Sequence, residues 1–409
     1  MLRVLTRDGW LLFVTRFTRL FAYGALSVVL VFYLTSLGLS TSQTGLVLTL
    51  TLIGDTVVSL YLTTRADRIG RRRMLIVGAA LMAAAGLAFA FTSNLAFLIV
   101  AGTIGVISPS GNEVGPFLPI EQAALSQVVP DQARTGVLAW YTLAGSFATA
   151  AGSLAGGMLS SVLQKNAVTP VGSYRVVVLM YAALGIVLVG LFMRLSPGAE
   201  TTALPTRFGI SHSRRVVLKL SGLFALDAFA GGFVVQSFAA YWFYLRFGVN
   251  PAALGAIFFW ANVFAGISAL LASRLAARFG LVRTMVFTHL PSNVLLILVP
   301  LMPTLPLAIL VLLARFSISQ MDVPTRQSYT MAVVRPDERS AAAGITGVAR
   351  TTGAAIAPLF AGFMFARPSL MSVPFFIAGT LKIVYDLLLY KGFVTMPPPE
   401  EAGSAGRPG

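Results

Sequence analysis

The sequence predicts an all-α membrane protein: twelve transmembrane helices in two pseudo-symmetric six-helix bundles, with both termini cytoplasmic. Three observations carry that expectation. Of 409 residues, 56% are hydrophobic and 11% charged, whereas an ordinary soluble domain is about a quarter charged. Faces this apolar need lipid as their solvent. Apolar runs of the ~20 residues that a bilayer demands recur twelve times, in a six–linker–six order. The Lys and Arg residues are also strongly sided, as the positive-inside rule requires.

In chain order, spans are predicted at 10–36, 43–64, 74–92, 95–120, 133–162 and 174–195. A polar stretch follows, and then come 220–246, 251–271, 284–302, 305–334, 341–366 and 370–390. The domain division expected is an N-terminal bundle at 1–195, a cytoplasmic linker at 196–219, a C-terminal bundle at 220–391 and a tail at 392–409. The opening MLRVLTRDGW leads into an apolar run without a small-residue cleavage site, so it reads as the first span.

With the N-terminus inside, 24 of the 30 Lys and Arg residues fall on or next to the cytoplasmic side, among them Arg65, Arg68, Arg71, Arg72, Arg73 and Arg350. The net charge of +16 is therefore an attraction to the anionic inner leaflet, and nucleic acid is not an expected partner. There are no cysteines, and the two histidines, His212 and His289, are far apart. Disulfides, thiolate nucleophiles and paired-histidine metal sites are excluded. No lysine ends a phosphate-binding GxxxxGK[ST] loop. No enzyme, metal or cofactor is implied.

The halves repeat each other. Ala66–Asp67–Arg68–Ile69–Gly70–Arg71–Arg72–Arg73 matches Ala276–Ala277–Arg278–Phe279–Gly280–Leu281–Val282–Arg283, and Gly38 and Gly45 match Gly248 and Gly255, all at a spacing of 210. Pro119–Ile120–Glu121–Gln122 matches Pro324–Thr325–Arg326–Gln327, and Gly152–Gly157 matches Ala357–Gly362, at 205. Duplicated bundles commonly hold a solute near the midplane.

On these residues the chain resembles the major facilitator superfamily over nearly its whole length. The family's GxxxDRxGRR loop after the second span is met by Thr63 to Arg72, with Thr63 in place of the first Gly. The resemblance implies that Asp67, with Arg68, Gly70 and Arg71, docks the halves and gates the inner face. A GPxxGG bend associated with exporters is partly met by Gly152–Ser153–Leu154–Ala155–Gly156–Gly157. The family's fourth-span arginine is replaced by Ala101, four residues before Gly105. What the resemblance implies is a secondary transporter that moves a small solute by alternating access, weakly favoured as an exporter. A monomer is expected, and the preference for Arg over Lys with compact loops points to a bacterial inner membrane. Uptake on the same scaffold, and a membrane receptor or scaffold without transport, are the competing readings.

Ionisable groups inside spans are costly and usually line a pathway or pair with each other. Asp55, Glu113, Asp227 and Asp322 are the carboxylates expected to bind protons, because burial disfavours their charged form. Arg315, seven residues before Asp322 on one helix face, is either its partner or a further coupling or cavity residue. Lys382, four before Asp386, is read as a structural pair with it. Arg16 and Arg19 share a face with Tyr23, with Asp227 as their natural acidic partner if they point inward. Asn112 and Gln236, Trp242, Trp260, Asn262, Asn293, Gln320 and Gln327 are further candidates to line a cavity. His289 is read first as a satisfied core residue. Pro109, Pro116, Pro119, Pro291 and Pro324 should interrupt the fourth, ninth and tenth spans, freeing backbone groups that are tolerated only where buried or lining a cavity. SPSGNEVGPFLP at 108–119 is thus the best single pointer to the site. Glu121 and Arg326, at matching repeat positions with opposite charge, are expected to form a cytoplasmic gate.

Overall fold

The computed structural model describes residues 5–200, 212–335 and 338–394, apart from the side chains of Asp67, of 131–136 and of Ser340. These residues form fifteen α-helices and no strand: α1 Arg7–Ser36, α2 Thr41–Ile69, α3 Arg71–Phe91, α4 Leu95–Ile104, α5 Phe117–Val128, α6 Asp131–Lys165, α7 Pro170–Phe192, α8 Arg214–Gly232, α9 Gln236–Phe247, α10 Pro251–Phe279, α11 Leu281–Leu298, α12 Leu305–Ser319, α13 Asp322–Ala332, α14 Arg339–Phe365 and α15 Val373–Phe393. Eleven segments are long and apolar enough to cross a membrane, and the apolar α4 is shorter than that. Large apolar side chains such as Phe91, Phe97, Val57 and Phe287 stand exposed, as they do where lipid is the solvent.

Local chemistry sets the helix ends. Thr6 caps α1 by accepting the Gly9 N–H at 3.2 Å. Ser40 and Gln43 form a reciprocal capping box at the start of α2. Asn94 caps α4, and Thr169 with Pro170 opens α7. The turns α2–α3 and α10–α11 are single glycines, Gly70 at φ +116° and Gly280 at φ +85°. Only glycine adopts such angles without strain, so the 210-residue repeat is a repeat of backbone conformation as well.

Two predicted spans break into two helices. The fourth stops at Ile104 and restarts at Phe117; the tenth stops at Ser319 and restarts at Asp322. Pro119 and Pro324 then occupy the first turn of the new helix, where a missing N–H costs nothing. The ninth span differs from expectation: α11 runs through Pro291 without a break. The seventh span is also divided, between Gly232 and Gln236, with no proline to announce it.

Contacts group the chain into two compact units. The first holds Met1–Pro205 together with Val235–Val263 and Pro358–Met371. Glycine crossings bind those two later segments to it. A Cβ on Gly45 would lie 2.5 Å from the Pro358 carbonyl oxygen and 2.9 Å from Gly362 Cα. A Cβ on Gly157 would lie 2.2 Å from the Pro251 carbonyl oxygen and 2.9 Å from Gly255 Cα. The pairs Gly45–Gly362 and Gly255–Gly157 are repeat equivalents, and close backbone approach through small residues is how membrane helices pack. The second unit holds Thr206–Val234, Phe264–Ala357 and Ser372–Gly409. Its core includes Leu220, Phe224, Met285, Tyr329, Tyr385 and Leu389.

Candidate functional site

In the first unit the chemistry gathers on the unwound segment between α4 and α5. Its backbone groups, freed from helical bonding, are satisfied by side chains from five helices. Tyr23 of α1 donates to the Val114 carbonyl at 3.3 Å, and Thr149 of α6 to that of Gly111 at 3.1 Å. Tyr181 of α7 donates to the carbonyl of Val106. Ser237, at the start of α9, donates both N–H and hydroxyl to that of Pro109. The Gly115 N–H donates to Asp55 Oδ1 of α2 at 2.6 Å. Non-helical backbone at membrane depth persists only when its polar groups are answered in this way.

Glu113, on this segment, joins Arg16 and Arg19. Arg16 Nη1 lies 2.6 Å and Arg19 Nη2 2.9 Å from Glu113 Oε1. Arg19, wholly buried, also forms a two-pronged pair with Glu121, Nη1 to Oε1 at 2.8 Å and Nη2 to Oε2 at 2.7 Å. Glu121 further accepts from Thr15 Oγ1 at 2.8 Å and from the Tyr141 hydroxyl. Two guanidiniums thus meet two carboxylates in a neutral group. Asp55 stands outside it. It is buried, and among the described residues it accepts, besides Gly115, only a long 3.4 Å bond from the Ser59 hydroxyl. A second polar group centres on Gln236, whose Nε2 donates to Ser27 Oγ at 2.8 Å and Ser153 Oγ at 3.1 Å, and whose Oε1 accepts from Asn262.

In the second unit Asp227 is the hub. Lys382 Nζ donates to its Oδ1, and Arg326 Nη1 lies 3.1 Å from its Oδ2. Arg326 also reaches Asp322 Oδ2 at 3.0 Å, one turn away on α13. Asp386 is held by His289 Nδ1 at 2.8 Å and Asn293 Nδ2 at 2.9 Å.

Several expected partnerships are therefore corrected. Lys382 pairs with Asp227 and not with Asp386; Asp322 pairs with Arg326 and not with Arg315. Arg16 and Arg19 take Glu113 and Glu121, not Asp227. Glu113 is ion-paired, so its being far from any base on its own helix did not leave it alone. Glu121 and Arg326, expected as a gate, are both buried and make their bonds within their own units. Arg350, counted with the cytoplasmic residues, lies in the middle of α14. Asn112 is exposed. Arg68 is exposed as well, whereas Arg71 donates to Gln127 Oε1 at 2.7 Å. The carboxylate of Glu200 accepts the backbone N–H groups of Arg71 at 2.7 Å and Arg72 at 3.1 Å. The Asp67 side chain lies outside the described residues. Sequence reasoning missed Thr15, Tyr141 and Glu200. Arg350 was legible, since it falls nine residues inside the predicted span at 341–366.

Two shallow apolar grooves, of about 350 Å³ beside Phe91 and Phe97 and about 320 Å³ beside Phe279 and Phe287, do not touch either network.

The Major Facilitator Superfamily model matches residues 12–246 and 220–409. The chain belongs to the major facilitator superfamily. The chain is 31% identical to membrane protein YJR124C of Saccharomyces cerevisiae over 419 residues, covering 94% of this chain and 93% of that one. It is 24% identical over 187 residues to the probable multidrug resistance protein EmrY of Escherichia coli, covering 46% of this chain and 34% of that one. Among solved structures, the D-xylose–proton symporter matches at a TM-score of 0.73 and 14% identity, over 94% of this chain and 97% of that one. The superfamily fold places this chain among multi-pass membrane transporters.

Proposed function

We propose that this superfamily member moves a small solute by alternating access, with protons as the coupling ion and export as the direction. Asp55 is the observation that carries the coupling. It is a buried carboxyl whose partners, the Gly115 N–H and the Ser59 hydroxyl, are both neutral. A buried carboxylate without a cation costs several kcal/mol, and a bound proton removes that cost. Any conformational change that wets and dries Asp55 becomes proton release and uptake. The coupling element is the unwound segment: Gly115 touches Asp55, and Glu113, two residues earlier, is anchored by Arg16 and Arg19. A shift of that segment alters both contacts together.

Export is supported by the similarity to EmrY, named as a probable multidrug resistance protein, and by the Gly152–Gly157 run that crosses Gly255. Placing both termini in the cytoplasm follows from the Lys and Arg bias. On that placement the turn formed by Arg68, Gly70 and Arg71 lies at the inner face, where it serves as part of the gate.

The test is collapse of an imposed pH gradient in proteoliposomes by a broad solute panel, comparing wild type with Asp55→Asn. Coupling predicts that some solute dissipates the gradient and that the variant abolishes this while still binding the solute. Solute flux that ignores the gradient, or an unaffected variant, would refute coupling through Asp55.

A further inference from the structure

The buried charges of the second unit do not balance. Among its described residues, the intramembrane carboxylates are Asp227, Asp322 and Asp386, and each is committed. Asp227 and Asp322 are answered by Lys382 and Arg326, and Asp386 by His289 with Asn293. Two cations are left over. The Nε atoms of Arg315 and Arg350 are sealed from solvent with no hydrogen-bond partner, yet each residue keeps some accessible surface.

Neither side chain belongs to a lipid-facing stripe. Arg315 follows Ala308 and Leu312 and precedes Ser319, all three buried, at the spacing of one helix face. Arg350 continues the face of Ala342 and Thr346, both buried. One turn further on, Gly353 lies against the backbone of Ala225 in α8, the helix that carries Asp227. Arg326 bonds both Asp227 and Asp322. Arg350 stands one turn from the contact with Ala225, two residues before Asp227, and Arg315 lies seven residues before Asp322. The two arginines therefore border one charged region, in which Arg326 repels Arg350 and the two carboxylates attract both. Unpaired ionisable groups at membrane depth are costly and mark solute pathways. Guanidiniums, planar and permanently charged, suit carboxylate and phosphate geometry.

We propose that Arg315 and Arg350 together bind an oxyanion group, carboxylate or phosphate, carried by the transported solute. This deepens the transport reading and rests on it.

The experiment measures binding without transport. Full-length protein in a neutral maltoside detergent is unfolded thermally at constant ionic strength. Inorganic phosphate, succinate or glycerol 3-phosphate is titrated against chloride. The samples are wild type, Arg315→Gln, Arg350→Gln and Arg350→Lys. At least one oxyanion should stabilise wild type saturably, and each Gln variant should weaken it at least about tenfold, with Arg350→Lys intermediate. Without ligand, the Gln variants should unfold no lower than wild type, because they remove a charge that no carboxylate among the described residues pairs, Arg315 having only the Phe316 ring at 5.0 Å. A merely structural role predicts the opposite.

Failure of every oxyanion to stabilise wild type beyond chloride, or unchanged binding in the Gln variants, overturns the proposal. Parallel mixed micelles of phosphatidylglycerol or phosphatidylcholine separate the other source of the same chemistry. Stabilisation by phosphatidylglycerol alone, lost in the Gln variants, would assign the pair to a lipid headgroup and overturn the solute assignment. No pH gradient enters the assay. A failure of proton coupling therefore leaves its result standing, and a failure to bind anions leaves coupled transport of an uncharged solute intact.

Discussion

Glu121→Gln removes one charge from a buried group that is neutral only because two carboxylates face two guanidiniums. Glu121 accepts four hydrogen bonds, two from Arg19 and one each from Thr15 and Tyr141. A glutamine keeps one acceptor oxygen and turns its NH₂ toward the Arg19 fork, donor against donor. Arg19 has no accessible surface, so water cannot make good the loss. Removing one partner of a buried pair costs about 3–5 kcal/mol. At about 2–4 °C per kcal/mol for a unit of 150–250 residues, the unfolding midpoint in detergent should fall by roughly 6–20 °C. The double variant Arg19→Gln/Glu121→Gln removes the charges as a matched pair. It keeps one acceptor oxygen at position 121, for Thr15 or for Tyr141, and leaves Arg16 facing Glu113 at 2.6 Å. It should be much less damaged than the sum of its two single variants, a coupling that a double-mutant cycle reads directly. A single variant that unfolds like wild type, or a double variant as damaged as that sum, would refute the reasoning.

Three further outcomes follow from the same geometry. Gly70→Ala places a Cβ at φ +116° and should cost about 1–3 kcal/mol, read as a lower unfolding midpoint. Gly362→Val would drive a side chain into the Thr41 carbonyl oxygen, 2.5 Å from the Cβ position. It should destabilise by about 1–3 kcal/mol, and Gly45→Val should do the same, both read by thermal unfolding. Glu200→Gln leaves the N–H groups of Arg71 and Arg72 with a weaker acceptor at the start of α3. The loss should be about 0.5–2 kcal/mol, seen as faster hydrogen exchange at those two amides.

The sequence by itself determined the solvent of this protein, the order of its apolar runs, its repeat and its family. These depend on local composition and spacing, which the chain carries openly. Gly70 and Gly280, or Pro119 and Pro324, could be matched by number alone, and the backbone bears both matches out. The unwound segment was legible from its prolines and glycines. Only tertiary structure decided which charges meet. Spacing along one helix finds only neighbours on that helix, and so it offered Lys382–Asp386 and Arg315–Asp322. The contacts that formed join residues 97 apart, as in Arg16–Glu113, or 155 apart, as in Lys382–Asp227. A buried charge is held by whatever opposite charge the packing of other helices brings within about 3 Å. For the same reason the cations that packing left without a carboxylate among the described residues, Arg315 and Arg350, could be identified only after every other pair had been assigned.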